Sequence, residues 1–322
     1  MQLIYVESPL QLVNAIHIIS HYNEGATLYY RDNGTLEQQK QFQYIFQYNK
    51  RLLIETTIKK IKIHRDVSFF RNVKFVFYMF CMLLNSLKCK RIVVGDLRTP
   101  FYKLVKFKLK IFKDKKIIVV DDGLYLYPFL KQSKSNYDNV VFATNLPIDY
   151  IGNFEILDIF EYKGRNKKEL VNGVFVFIGS KLVEFELCKL EDYIELLIEV
   201  RKICQEKGAT KVYYVPHREE NVSNLRMYES LGFVLRQVKE PLELHENVNG
   251  KLGCSYFSFY STALFNLASL DIQNCATYYS IRPNKRFWLK NRQNISDVYE
   301  MFERVSSIQT IEVEKCINKI GL

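Results

Sequence analysis
The chain has 322 residues, enough for two domains with a core each. Its hydrophobic fraction of 48% excludes disorder, and a formal net charge of +11 favours anionic partners. The 7 cysteines (81, 89, 188, 204, 254, 275 and 316) stand singly without Cys/His ligand spacing, which excludes a zinc finger or a disulfide framework and suits reduced thiols.

Strand-like runs alternate with helical patterns, the order of an α/β protein with parallel sheets. QLIYVE (2–7) reads as a first strand and PLQLVNAIHIIS (9–20) as a helix opened by Pro9 with Ser8 as its cap. ATLYYR (26–31), a helix over about 35–48 and LLIETT follow. An apolar helix at 67–87 contains VKFVFYMFCMLL (73–84), too short and too interrupted to span a bilayer, and reads as buried. Next come RIVVGD (91–96), a helix from about 99, and KIIVVDD (116–122). Lysines alternate with apolar residues in KLVKFKLKIFKDKK (103–116), the pattern of a solvated amphipathic element or of peripheral contact with anionic lipid. No RNP, helix-turn-helix or zinc-finger signature accompanies the charge, so nucleic acid is not an expected partner. The N-terminus lacks the pattern of a signal peptide, which suits a cytoplasmic protein.

The alternation restarts after a polar, basic stretch, KGRNKKELVNG. The expected division is an N-terminal Rossmann-like domain (1–162), a linker (163–173), a C-terminal Rossmann-like domain (174–290) and a helical tail (291–322). The second domain begins with VFVFIGS (174–180), a helix around 190–207 and KVYYVPH (211–217). A helix near 222–231, FVLRQV (233–238) and CSYFSFYSTALFNLAS (254–269) complete it. In such sheets ligands bind beyond the carboxyl ends of the strands.

Three polar clusters stand at strand ends. Asp121-Asp122-Gly123 ends a buried strand of the first half. Pro216-His217-Arg218-Glu219 ends KVYYV. Ser261 and Thr262 open a helix, where backbone N–H groups face an anion. Taken singly they are a turn, a structural histidine and an N-cap; it is their joint occurrence that points to a site.

The order DDG, then PH, then SFYST resembles the motif set of bacterial sialyltransferases. It is most similar to that of the lipooligosaccharide sialyltransferase family (glycosyltransferase family 52), with the bacterial polysialyltransferases as relatives. YVESPLQLVNA, FIGSKLVE (177–184) and KEPLEL (239–244) also look like that family, and the resemblance runs from residue 2 to about 283. One departure is that Arg218, not Pro, follows His217.

The resemblance implies a GT-B fold, α/β with two Rossmann-like domains whose parallel sheets face a central cleft. It implies inverting transfer of a sialic acid from CMP-sialic acid to a hydroxyl of an oligosaccharide acceptor in capsule or lipooligosaccharide. The setting would be the cytoplasm, at the inner face of the membrane. The donor site would draw on Gly179, Ser180, Pro216, Arg218, Ser261, Thr262 and, at the ribose, Glu243. His217 would serve as acid or phosphate ligand. The base would be Asp122 or Asp121, or, on the pattern of the lipooligosaccharide family, Glu184. No Asp-x-Asp pair is present, which agrees with chemistry needing no metal or cofactor. The alternatives are a GT-B enzyme using another nucleotide sugar, a non-catalytic membrane-surface binder on the same fold, and a receiver domain, which "IIVVDDG" also resembles.

Overall fold
A computed structural model describes residues 1–62, 73–107, 115–120, 123–133, 137, 139–157, 170–271 and 275–313. The chain divides into two compact units. One comprises Met1–Leu126, Leu130–Glu161 and Lys239–Pro241; the other comprises Tyr127–Phe129, Tyr162–Val238 and Leu242–Leu322. Most of the expected linker, 163–169, lies outside the described residues.

The first unit holds β1 (Gln2–Val6), β2 (Ala26–Asp32), β3 (Thr56–Lys62), β4 (Arg91–Val94), β5 (Lys116–Val120), β6 (Val140–Ala143) and β7 (Glu155–Ile156). They form one parallel sheet in the order β3-β2-β1-β4-β5-β6-β7. Burial on both faces explains the aliphatic runs: β1 and β6 are wholly buried, and so is Ile117–Val120. The helices are α1 (Pro9–Tyr22), α2 (Leu36–Tyr48), α3 (Val73–Lys88) and α4 (Pro100–Phe107); α5 (Leu126–Gln132) is divided, Tyr127–Phe129 counting with the second unit. As expected, α1 starts at Pro9, and the Ser8 hydroxyl accepts from the Gln11 N–H at 3.2 Å.

α3 departs from the sequence expectation. Phe75, Met79, Met82 and Ser86 are buried, whereas Val76, Phe77, Phe80, Leu84 and Leu87 are exposed. Its apolar residues run all the way round the helix, so composition alone reads as burial. The sheet covers one side only.

The second unit holds β8 (Val174–Ile178), β9 (Lys211–Val215), β10 (Val234–Leu235), β11 (Ser255–Ser258), β12 (Thr277–Pro283) and β13 (Ile308–Val313), parallel in the order β10-β9-β8-β11-β12-β13. Its helices are α6 (Leu190–Glu206), α7 (Val222–Ser230), α8 (Leu242–Asn249), α9 (Thr262–Leu270) and α10 (Arg292–Glu303). Stacked rings tie neighbouring strands: Phe175 with Phe257 at 5.5 Å and Phe257 with Tyr279 at 4.7 Å.

The expected helical tail after residue 290 is corrected. α10 is followed by β13, which pairs with β12 over six residues and extends the sheet. IQTIEV has only three apolar positions, with Gln309, Thr310 and Glu312 between them, and such an edge strand is weak in sequence. The expected α/β class and two Rossmann-like units with parallel sheets are present.

Candidate functional site
In the second sheet the chain starts at β8, moves one way to β9 and β10, then returns to lay down β11, β12 and β13 on the other side. The connections leaving β8 and β11 therefore diverge, which opens a crevice at the carboxyl ends of these adjacent strands. Gly179 and Ser180 follow β8, Ser261 and Thr262 follow β11, and Pro216 and His217 follow the next strand, β9. Three sequence clusters thus meet on one sheet edge.

Gly179 is held by its N–H, which donates to the Val215 carbonyl at 2.8 Å. A Cβ there would stand 2.3 Å from Glu220 Oε1 and 2.9 Å from the Tyr214 hydroxyl. Glycine is required by this approach, not by a left-handed turn.

The turn after β9 is fixed by its own groups. The His217 N–H donates to Glu220 Oε1 at 3.0 Å, and the Glu220 N–H donates to the His217 carbonyl at 2.9 Å. The Tyr214 hydroxyl donates to Glu220 Oε2 at 2.8 Å and meets the Tyr193 hydroxyl at 2.9 Å. Burial raises the Glu220 carboxyl to about 8, against the two donated hydrogen bonds.

The Glu219 N–H donates to His217 Nδ1 at 3.1 Å. An acceptor at Nδ1 leaves the proton of the neutral ring on Nε2. Burial, then the Lys181 and Arg218 cations, push the imidazole down to about 3. The ring is therefore neutral, with its Nε2–H as the available donor. Pro216, half-buried, ends the strand.

Glu184 and Lys181 bind this turn from the segment after β8. Glu184 Oε1 accepts the Asn221 N–H at 2.8 Å, at the start of α7. Lys181 Nζ pairs with Glu219 Oε2 at 2.5 Å and lies 4.1 Å above the Phe185 ring.

Ser261 is the N-cap of α9, yet its hydroxyl makes no capping hydrogen bond. The backbone donors of the first turn and this hydroxyl together can hold an anion. Thr262 is the first helical residue. Glu243 stands in the first turn of α8 and accepts from Asn266 Nδ2 of α9 at 2.9 Å. Burial raises its carboxyl, and the Arg218 cation opposes the rise. Arg218 itself is exposed.

The second unit thus brings together Gly179, Ser180, Glu184, Pro216, His217, Arg218, Glu243, Ser261 and Thr262. Sequence reasoning missed Lys181, Tyr214 and Glu220. Glu220, three residues after His217 and ahead of a helix cap, carried no pattern of its own; only the fold turns it back onto His217 and Gly179.

In the first unit Asp121 and Asp122 lie outside the described residues. Gly123 after them has φ 105°, the left-handed region that favours glycine. The switch point of this sheet lies between β1 and β4. There Glu7 accepts from the Tyr5 hydroxyl at 2.6 Å and pairs with Arg31 at 3.5 Å. Asp96, after β4, pairs with Arg98. Among the described residues no group of three or more His, Cys, Asp or Glu is arranged to hold a metal ion.

No protein-family model matches the sequence. No curated protein matches it. Among solved structures the chain is similar to Acinetobacter baumannii MurG, with 7% sequence identity and a TM-score of 0.45, over 97% of this chain and 85% of that one. At that identity and score the likeness names no activity for this chain.

Proposed function
We propose that the protein is a glycosyltransferase of the GT-B class that moves a sialic acid from CMP-sialic acid to a sugar hydroxyl, with inversion and without a metal. The observation that carries this is the meeting of the Gly179-Ser180, Pro216-His217 and Ser261-Thr262 clusters at the carboxyl ends of three neighbouring strands. These clusters belong to the motif set that resembles the sialyltransferases.

The chemistry follows from the groups at hand. As the glycosidic bond breaks, its electron pair passes to the departing phosphate of CMP. The neutral His217 can donate from Nε2, and the Ser261 hydroxyl and the N-terminus of α9 can donate beside it. Glu243, at the start of α8, is the group for the ribose hydroxyls. The acceptor hydroxyl attacks from the opposite face of the sugar and loses its proton to a carboxylate. We assign that base to Glu184, one oxygen of which is fixed by the Asn221 N–H. Asp122 is the rival.

Thermal shift tests the nucleotide. CMP raises the melting temperature, because a ligand that binds only the native state stabilises it by mass action, and UMP does so much less. CMP-sialic acid is hydrolysed slowly to CMP, and activity survives EDTA. Equal shifts from CMP and UMP, with UDP released from a UDP-sugar, would replace the donor.

A further inference from the structure
The outer face of α3 has no counterpart in the chemistry above. Residues 75, 79, 82 and 86 point one way, into the unit. At 100° per residue, positions 77, 80, 84 and 87 point the opposite way. That side of a surface helix is ordinarily polar. Here it carries Phe77, 63% exposed, Phe80, 56% exposed, and Leu84 and Leu87, each 47% exposed. Two large aromatic rings and two leucines in a continuous row, with Val76 beside them, exceed the scattered apolar residues of an ordinary surface.

Along α3 and α4 the charge has one sign. Neither α3 nor α4 contains an Asp or Glu. Lys88 in the last turn of α3, Lys90 just beyond it and Lys103 on α4 are exposed. Both α3 and α4 connect strands in the same direction across the sheet, and right-handed crossovers put them on the same face. The end of α3 is closed by Lys115, whose Nζ donates to the carbonyls of Ser86, Leu87 and Cys89 at 2.8, 2.6 and 2.6 Å. That lysine fixes the final turn, which carries Leu87 and Lys88. Among the described residues no helix is long and apolar enough to cross a membrane.

We propose that α3 lies in the surface of an anionic phospholipid bilayer, with Phe77, Phe80, Leu84 and Leu87 in the acyl boundary and Lys88, Lys90 and Lys103 among the headgroups. Apolar side chains gain by leaving water, and lysines near the surface gain from the negative potential of anionic lipid. A second copy of this chain fits less well: a two-fold contact through α3 would set the lysines of this face against their own copies.

Co-sedimentation of the full chain with vesicles tests this without reference to catalysis. The protein should bind vesicles of phosphatidylcholine and phosphatidylglycerol at low salt, and bind pure phosphatidylcholine far more weakly. Rising salt should weaken the binding as the headgroup attraction is screened. The double variant Phe77→Ser/Phe80→Ser should lose at least about tenfold in vesicle affinity, the scale set by burying one such ring. Its circular dichroism and melting temperature should be those of the parent. A Phe80→Trp variant, which keeps the face apolar, should show indole emission beyond that of the parent, and brominated phosphatidylglycerol should quench it. Wild-type protein that ignores phosphatidylglycerol vesicles, or added emission from the Phe80→Trp variant that brominated lipid does not quench, overturns the proposal. So does a dimer in sedimentation equilibrium that the double variant dissociates without any vesicle binding, since a second copy then covers the face.

Discussion
The Glu220 carboxyl group occupies the space that a side chain on Gly179 would need, since a Cβ at that glycine would stand 2.3 Å from Glu220 Oε1. The two residues come from the ends of neighbouring strands, β8 and β9. Their contact sets how closely the Gly179-Ser180 segment approaches the His217 turn. Gly179→Ala must displace the buried Glu220 carboxyl group and the Tyr214 ring together, and overpacking of this kind costs about 1–3 kcal/mol. Urea unfolding should show that loss. An unchanged midpoint would mean that the turn yields freely.

Glu220 should make stability depend on pH. Its native value, about 8, lies above the ordinary 4.5, so the folded protein keeps a proton that the unfolded chain has released. The stability this contributes is complete below about pH 4.5 and is lost as pH rises through about 8. Glu220→Gln, which holds the neutral shape, should remove this fall. The difference in unfolding free energy between wild type and variant, followed across that range, checks it; a flat difference refutes it.

His217 shifts the other way. Its native value, about 3, lies below 6.5, so its contribution is present above pH 6.5 and is lost as pH falls through about 3. The imidazole proton resonances of the free protein should not titrate near 6.5, and the pH–rate profile should have no alkaline limb owed to this ring. His217→Ala should cut turnover by roughly 10²–10⁴ while leaving circular dichroism unchanged. A variant with near-native turnover would leave the ring a purely structural role.

Ser261 separates capping from ligand binding. Loss of a capping hydroxyl ordinarily costs about 1 kcal/mol. The Ser261 hydroxyl makes no capping bond, so Ser261→Ala should leave the melting temperature nearly unchanged. A hydrogen bond to a charged phosphate is worth about 1.5–3 kcal/mol, so CMP affinity should fall about tenfold or more. A lower melting temperature with unchanged CMP affinity, read by calorimetry, would make Ser261 a cap and nothing else.

The base is decided by two carboxamides. Glu184→Gln should abolish transfer while CMP still raises the melting temperature, and Asp122→Asn should retain more activity. Single-turnover rates with CMP-sialic acid give the comparison. The reverse order would move the base to the first unit.

Much of this organisation was legible in the residues. Buried parallel strands declare themselves as aliphatic runs, as in Ile117–Val120, because both faces are covered. Ser8 before Pro9 announced α1 because capping is local chemistry. β6, β7, β12 and β13 were not foreseen, since Glu155–Ile156 is too short and Ile308–Val313 too polar to show a period, and the expected LLIETT element is mostly turn, with β3 running over Thr56–Lys62 instead. α3 ends within one residue of the expected helix, whose start at 67–72 lies outside the described residues, but its burial was not foreseen, because a helix apolar on all sides does not say which side the sheet will cover.

The sequence by itself determined the class of fold, the strand ends at which polar clusters stand and the residue types available there, all consequences of local pattern. Tertiary structure decided the rest. The protonation of His217 follows from the Glu219 N–H that meets Nδ1 and from burial beside Lys181, a residue 36 positions earlier by the numbering. The proton on Glu220 follows from burial, which outweighs the hydrogen bonds donated by the His217 N–H and the Tyr214 hydroxyl. Desolvation and long-range charge depend on which segments fold against one another, and no local run of residues carries that information.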